Sequence, residues 1–388
     1  MSVTAAQGFL AAGVKAGIKA SGNHDVSLVV NQGPLFTAAG VFTSNRFKAA
    51  PVLWSQQVLL DQSLRAVILN SGGANACTGP EGFADTHHTA EYVAQALSAL
   101  GEDVGAGEIA VCSTGLIGER LPMEKIRAGI DASVQELGPD GGADAALAIM
   151  TTDSVPKKSE ISGEGYVVGG MAKGAGMLAP ALATMLVVIT TDAVLDAEVA
   201  DAALRAATAM SFDRIDSDGC MSTNDTVLLL ASGASGTQPD MHEFTSVLTQ
   251  VCSDLAQQLI HDAEGASKDI KITVEQAENV NDALEVARAI SRSNLLKCAI
   301  HGEDPNWGRV LAAAGTTHAA FDPDQVDVAM NGVWICRNGG LGEDRTLVSL
   351  AGREVDITVV LRAGASEATV WTNDLTADYV HENSAYST

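Results

Sequence analysis

Short apolar runs alternate along the chain with stretches in which apolar residues recur at helical spacing, a pattern typical of an α/β protein. Strands are predicted at 25–31 and 65–70, where apolar residues are nearly continuous. The predicted helices cover 81–100, a segment from about 123, a segment to 210 with Asp196 as its N-cap, and 242–264 closed by Gly265.

Two hairpins are predicted in the C-terminal third of the chain. Asn331 and Gly332 lie between two alternating apolar runs, which is a strong hairpin signal. The runs 353–361 and 368–372 suggest a second hairpin. The tail, 373–388, is polar and on composition alone is expected to be disordered.

The most informative stretch is 171–191, where a glycine turn leads into a strand. Gly174 and Gly176 precede Thr184, and a β-branched run, 187–191, follows it. Threonine is a poor nucleophile unless a base lies beside it. If Thr184 became the first residue of a new chain, its own amine would supply that base.

Composition and charge narrow the classes of function. With 388 residues, 46% of them hydrophobic, the chain can bury a large core in two to three domains or in one large α/β unit. The net charge of −25 repels phosphate backbones and anionic membranes, so neither nucleic acid nor membrane is an expected partner. A small anionic substrate stays compatible, since it needs only a local cation. The uncharged run 174–191 is long enough for a membrane span, but its proline, its glycines and its strand-like second half favour a buried core segment.

The cysteines indicate a reducing compartment. The chain has six, none in a C-x-x-C pair, and they are too widely spaced for a metal site or a disulfide framework. We expect mostly buried free thiols. The N-terminus has no basic segment followed by an apolar one, so a cytoplasmic protein is expected.

No metal or dinucleotide is expected. The residues 174–179 match G-x-G-x-x-A, but the proline and strand-like run that follow argue against the helix that such a site needs. A group of side chains with possible ligand oxygens does not have the spacing of an EF-hand. These residues are Asp213, Asp216, Asp218, Asn224 and Asp225.

The turn at 112–118 follows an apolar run and contains Thr114 and Gly115. One interpretation is a strand-to-helix turn in which Ser or Thr caps a helix. The other is an oxyanion hole, in which a glycine N–H and a neighbouring hydroxyl donate to a substrate oxygen. The glycine-rich turn at 70–75 is either a surface turn or part of a pocket wall.

Two charged residues are candidates to act beside these hydroxyl groups. Lys173 is either a solvated lysine or an anchor for a substrate carboxylate. Glu264 is predicted in the last turn of a helix, where its charge opposes the helix dipole. Such a local conflict points to function, unless Lys268 or Lys271 neutralises the carboxylate.

These blocks together resemble the ornithine acetyltransferase family, also called the bifunctional glutamate N-acetyltransferase family. The segment from Lys173 to Thr184 has the family signature, and the similarity extends over nearly the whole chain. The other similar blocks are 70–77, 112–118, 150–153, 222–226, 304–309 and 381–388.

The resemblance implies an αββα-layered sandwich of the self-processing threonine-nucleophile kind, with a smaller α/β domain in its second half. Thr184 would cleave the bond that joins it to Ala183 and leave an α chain, 1–183, and a β chain, 184–388. The two chains would form the main core jointly, and two copies of each are expected to assemble.

The resemblance also implies the reaction. Thr184 would take an acetyl group from N2-acetylornithine and pass it to glutamate, which recycles acetyl groups in arginine biosynthesis. Acetyl-CoA is a further candidate donor, and no other cofactor is expected. By similarity, Thr114 and Gly115 form the oxyanion hole. The residues implied in substrate binding are Thr151, Lys173, Thr184, Glu264, Asn383 and Thr388, of which the last two close the site, in contrast to a disordered tail.

Two other hypotheses stay open at this point. A related self-processed aminopeptidase or amidohydrolase would use the same nucleophile but give the acyl group to water. A non-catalytic binding or assembly protein would keep the fold, but it should lack the nucleophile or the oxyanion pair, and this sequence has both.

Overall fold

The computed structural model describes residues 2–179 and 185–385, and it has the expected mixed α/β character. The strands are β1 Phe9–Val14, β2 Val26–Asn31, β3 Thr37–Phe42, β4 Ala66–Ser71, β5 Ile109–Thr114, β6 Lys157–Ser162, β7 Val167–Lys173, β8 Leu186–Thr191, β9 Thr226–Ala231, β10 Asp269–Ala277, β11 Asp327–Met330, β12 Val333–Arg337, β13 Gly340–Leu341, β14 Glu354–Val360 and β15 Ser366–Asn373. The helices are α1 Ala50–Val58, α2 Gly79–Ser98, α3 Met123–Gln135, α4 Gly142–Ala148, α5 Ala197–Met210, α6 Met241–His261, α7 Val280–Ser291, α8 Asn294–His301, α9 Trp307–Ala314 and α10 Ala377–Ala385. The strands and helices predicted before residue 265 all form, with ends within a few residues of those expected.

Two sheets make the centre of the molecule. One has the strand order β1-β2-β4-β5, with β4 and β5 parallel. The other has the order β3-β9-β8-β7-β6, with β8 and β9 parallel and β7 antiparallel to β8. Parallel strands are normally buried on both faces, which accounts for the nearly unbroken apolar run of β8.

Alternation of side chains along β8 separates two apolar cores. Leu186 and Val188 pack into the core shared with the first sheet, whereas Val187 and Ile189 pack into a second core against α5 and α6. Successive side chains of a strand point to opposite faces, so one strand serves both cores. Helices α2 and α3 contribute to the first core from the far side of the first sheet. The layers are therefore helix, sheet, sheet and helix, as the predicted αββα fold requires.

A third sheet lies later in the chain, in the order β13-β12-β11-β14-β10-β15. It has its own apolar core, to which α7, α8 and α9 contribute. The predicted division into chains 1–183 and 184–388 depends on a bond that lies outside the described residues, and it stays a prediction.

The third sheet corrects one expectation. The hairpin at Asn331 and Gly332 is present, since β11 and β12 are antiparallel neighbours. The second predicted hairpin is wrong, because β14 and β15 are not paired with each other. Strand β10 lies between them, parallel to β14 and antiparallel to β15. Nearness in sequence suggested the hairpin, but the central place in the sheet belongs to a strand from much earlier in the chain.

Helix ends supply three further corrections. Asp196 occupies the N-cap position of α5 but makes no side-chain capping hydrogen bond. Helix α6 ends at His261, so Glu264 lies beyond the helix and the helix-dipole argument for it is wrong. The expectation of a disordered tail is also wrong for its larger part, because residues 377–385 form α10.

Candidate functional site

A small cavity of about 100 Å³ brings together side chains from distant parts of the chain. It lies where β5 and β7 end, since Thr114 and Lys173 are the last residues of these strands. Six of the predicted site residues line it: Thr114, Gly115, Thr151, Lys173, Glu264 and Asn383. Ala183, Thr184 and Thr388, which were also predicted, lie outside the described residues.

The turn after β5 places a hydroxyl and a backbone N–H side by side. The Thr114 carbonyl accepts hydrogen bonds from the N–H groups of Gly72 (2.9 Å) and Gly73 (3.0 Å), which fix the turn against the glycine-rich loop. Gly115 has φ +130°, and a Cβ added there would lie 2.5 Å from the Gly73 nitrogen. Only glycine fits a backbone of this conformation at this separation.

Buried amides hold the two turns together. The Ser113 hydroxyl donates to Asn70 Oδ1 (2.6 Å), and Asn70 Nδ2 donates to the Gly73 carbonyl (3.1 Å). Asn224 Nδ2 donates to the carbonyls of Ala74 (2.6 Å) and Ser113 (2.8 Å). Sequence reasoning had treated Asn224 only as a rejected metal ligand, and no local pattern indicated this scaffolding contact.

Lys173 is buried, which excludes the solvated-lysine interpretation. Its Nζ donates to the Thr114 hydroxyl oxygen at 3.2 Å. Burial lowers the pKa of Lys173, while the negative charge of Asp153 opposes that shift. An ammonium in this position can attract a substrate carboxylate and polarise the hydroxyl beside it.

Glu264 reaches the cavity from the turn after α6. Its backbone N–H donates to the Ala175 carbonyl at 2.9 Å, and its carboxylate accepts from Asn383 Nδ2 on α10 at 2.9 Å. At Gly176, an added Cβ would lie 2.5 Å from the Glu264 carboxylate. The missing side chain at Gly176 therefore leaves room for a carboxylate, which suits a cationic group of a substrate.

Two acids that were not singled out from the sequence hold the glycine turn. Asp153 accepts the Gly174 N–H at 2.7 Å and the Thr151 N–H at 2.9 Å. Asp218 accepts the N–H of Met177 at 2.7 Å, and Met177 has φ +53°. The only sequence signal for Asp153 was its place in the block 150–153, and Asp218 had been weighed only as a metal ligand.

Within 2–179 and 185–385, no group of three or more His, Cys, Asp or Glu side chains is arranged to hold a metal ion. The acids between 213 and 225 bond to protein groups instead; Asp216, for example, pairs with Arg292 at 2.7 Å. The absence of a required cofactor stays a prediction.

None of the helices in the described segments combines the length and the apolar character needed to cross a bilayer. All six cysteines are free thiols. Three of them are buried and three are exposed, so the expectation that most are buried is wrong.

Chemically, the cavity offers a polarised hydroxyl and a glycine N–H as donors, an ammonium and a carboxylate. The two donors suit an oxygen that gains negative charge, and the two charges suit a substrate with both a carboxylate and an amine. This combination is typical of acyl transfer on an amino acid.

Comparison with known proteins agrees with this chemistry. The model of the ArgJ family matches residues 10–388. The arginine biosynthesis bifunctional protein ArgJ of Streptomyces avermitilis is 66% identical over 387 residues and is covered, like this chain, over 100% of its length. The protein of the same name from Mycolicibacterium paratuberculosis is 58% identical, over 99% of this chain and 96% of its own.

Two solved structures are similar over about half of the chain. The ornithine acetyltransferase of Mycobacterium tuberculosis, complexed with ornithine, is 60% identical over 48% of this chain and 96% of its own, with a TM-score of 0.44. The arginine biosynthesis bifunctional protein argJ of Bacillus halodurans is 35% identical over 51% of this chain and 97% of its own, with a TM-score of 0.49.

Proposed function

The chain belongs to the ArgJ family, and we propose that it transfers an acetyl group from N2-acetylornithine to glutamate through an acetyl-Thr184 intermediate. It is an acyltransferase of arginine biosynthesis. The observation that carries the proposal is the convergence of Thr114, Gly115, Lys173 and Glu264 on one cavity. These groups are suited to the oxyanion, the carboxylate and the amine of such a substrate.

Self-cleavage comes first in the proposed mechanism. The Thr184 hydroxyl attacks the Ala183 carbonyl carbon, the peptide C–N bond breaks, and an ester joins the two residues. Water then hydrolyses the ester, which leaves a carboxylate on Ala183 and a free hydroxyl and α-amine on Thr184. An α-amine has a pKa of about 7.7–8.0, so near neutral pH it can take the proton of its own hydroxyl as a general base.

Acetyl transfer then proceeds in two half-reactions. The Thr184 hydroxyl attacks the acetyl carbonyl of N2-acetylornithine, and ornithine leaves with a proton on its nitrogen. The amine of glutamate attacks the resulting ester and regenerates the Thr184 hydroxyl. Each attack places negative charge on the carbonyl oxygen, for which Thr114 and Gly115 are the proposed donors.

The contact between Lys173 and Thr114 assigns a direction to the hydroxyl proton. Because the Thr114 oxygen accepts from the Lys173 ammonium at 3.2 Å, its own O–H is left to donate elsewhere. A hydroxyl that accepts from a cation is also a stronger donor. We infer that this O–H points to the oxyanion.

Substrate binding completes the proposal. Thr151 and Lys173 receive the α-carboxylate that both amino-acid substrates share, and Glu264 with Asn383 receives the side-chain ammonium of the donor. Thr388 closes the site. The hydrogen bond between Asn383 and Glu264 supports a role for α10 beside the substrate.

The amine base, the oxyanion donors and the ammonium account for every proton transfer, so we propose no metal and no organic cofactor. Acetyl-CoA is proposed as a second donor. Two α and two β chains are proposed to assemble, and the six free thiols support a location in the reducing cytoplasm.

A denaturing intact-mass spectrum and an acetyl assay test the proposal together. Wild-type protein should give two species, 1–183 and 184–388, whereas Thr184→Ala should stay full-length and inactive. The matched variant Thr184→Ser keeps a hydroxyl and should retain some of both activities. A fully active, uncleaved Thr184→Ala protein would refute the mechanism.

The acyl acceptor is identified with N2-acetylornithine in the presence and absence of glutamate. Transfer forms N-acetylglutamate, and only when glutamate is present. Formation of acetate at the same rate in both samples would instead identify the aminopeptidase or amidohydrolase alternative. Replacing N2-acetylornithine by acetyl-CoA tests the second donor.

A further inference from the structure

The carboxylate of Asp153 joins two separate segments of the site. Its Oδ2 accepts the Thr151 N–H at 2.9 Å, and its Oδ1 accepts the Gly174 N–H at 2.7 Å, directly after Lys173. Oδ1 also accepts from Lys157 Nζ at 2.7 Å. The side chains of Asp153 and Lys157 are both 0% exposed, so these bonds have no competition from water.

Lys173 lies among several charged groups. The negative charges that act on it are Asp153, Glu264 and Asp225, and the positive charges are Lys157 and Lys19. Among these groups Asp153 has the largest effect, and only burial affects the pKa of Lys173 more strongly. Lys157 is also neutralised by Asp262 at 2.5 Å.

We propose that Asp153 is a positioning residue that keeps Lys173 an ammonium inside the buried site and fixes the backbone of Thr151 and Gly174. The inference deepens the proposed function and rests on it, since it assumes that Lys173 binds the substrate carboxylate. One buried anion thereby aligns two substrate-binding segments that are more than twenty positions apart in the sequence. It also supplies the charge that a buried ammonium needs.

The ionisation of Asp153 supports this role. Burial alone would raise its pKa, but Lys173 and Lys157 outweigh burial and lower the pKa to about 2. Asp153 is therefore negatively charged at every pH at which the enzyme can be assayed. Asp153→Asn removes this charge and keeps the size of the side chain and one acceptor oxygen.

The test is the pH dependence of ornithine release from N2-acetylornithine in a single turnover, without glutamate. Loss of a close opposite charge shifts a pKa by about 1–3 units. Asp153→Asn should therefore move the alkaline limb of kcat/KM down by about one pH unit or more. At pH 8.5 the half-saturating substrate concentration should rise roughly tenfold, while the maximum rate at pH 7 changes less.

Asp262→Asn is the matched control. It removes a second carboxylate from Lys157, but Asp262 is not among the charges that act on Lys173. The alkaline limb of this variant should stay within about 0.3 unit of wild type, since the nearest anion of Lys173 is retained. An equal shift in both variants would mean that the effect is general to the network, and it would overturn the proposal.

A double variant tests whether Asp153 acts through Lys173. In a Lys173→Met background, Asp153→Asn should add little to the half-saturating concentration, because the ammonium it supports is already absent. Costs that multiply would refute the proposed coupling. Should Asp153→Asn fail to fold, Asp153→Glu retains the charge and is expected to keep the alkaline limb with a lower kcat/KM. A shifted limb or an unchanged kcat/KM in that variant would equally refute the inference.

Wild-type behaviour separates this inference from the function on which it rests. If wild-type protein releases no ornithine, the proposed function fails and the variants need not be compared. If wild type releases ornithine and Asp153→Asn has an unchanged alkaline limb, only the role of Asp153 fails.

Discussion

Replacement of Gly115 by alanine should disable the oxyanion hole without removing any side chain from the site. An added Cβ would lie 2.5 Å from the Gly73 nitrogen and 2.7 Å from the Gly72 carbonyl carbon, both of them backbone atoms. Ordinary contact begins near 3.4 Å, so a shift of about 0.9 Å is needed. The Gly72–Gly73 turn cannot shift freely, because it is bonded to the Thr114 carbonyl.

The expected loss of rate follows from this displacement. Misplacement by about 1 Å at a catalytic group costs on the order of 10²-fold, and loss of one oxyanion donor costs about 10²–10³-fold. Gly115→Ala should therefore lower the maximum rate of acetyl-enzyme formation by at least roughly 10²-fold. The positive φ of +130° adds a loss of stability of about 1–3 kcal/mol.

Gly118→Ala is the matched control for the backbone strain. Gly118 also has a positive φ, +87°, but an added Cβ would meet nothing within 4 Å. This variant should lose about 1–3 kcal/mol of stability and keep its rate within roughly threefold. Stopped-flow ornithine release and urea denaturation measure the two quantities. Equal losses of rate in both variants, or a normal rate for Gly115→Ala, would refute the reasoning.

Three further substitutions test other parts of the site. Thr114→Ala should slow acetyl-enzyme formation by about 10²-fold or more, whereas Thr114→Ser, which retains the hydroxyl, should not. Gly176→Ala places a Cβ 2.5 Å from the Glu264 carboxylate and should raise KM for N2-acetylornithine roughly tenfold; N-acetylnorvaline, which lacks the ammonium, should be affected less, and an equal effect would contradict the assigned contact. Burial raises the pKa of Asp225 well above its ordinary value, so the folded state keeps a proton that the unfolded state loses above about pH 4, and stability falls as pH rises. Asp225→Asn should therefore raise Tm relative to wild type at pH 7 but not at pH 4, and a difference independent of pH would refute this assignment.

Local features of the fold could be predicted because their cause lies within a few residues. The β-branched run after Thr184 indicated a strand buried on both faces, and β8 does separate two cores. Pairing between distant strands has no local signal. Residues 353–361 and 368–372 fit a hairpin by spacing, but the backbone groups of both strands bond to β10.

The candidate site shows the same limit. Thr114 and Gly115 were identifiable because a hydroxyl and a glycine stood together after a strand. Glu264 was selected for a conflict with a helix that ends at His261, so the residue lines the cavity for a reason unrelated to that argument. Asp153 had no local signal, because its hydrogen bonds to backbone N–H groups depend on where β7 lies.

Cleavage between Ala183 and Thr184 would leave these arrangements intact. Strand β7 precedes the bond and β8 follows it, and the two pair along their length from Val168–Thr191 to Lys173–Leu186. The same sheet joins β3 and β6, which precede the bond, to β9, which follows it. The cavity likewise takes Thr114 and Lys173 from one side and Glu264 from the other. Separating the halves would expose the apolar faces of both sheets, whereas cutting one peptide bond exposes almost nothing. The cleaved chains should therefore remain one folded unit, and cleavage can be detected only after denaturation.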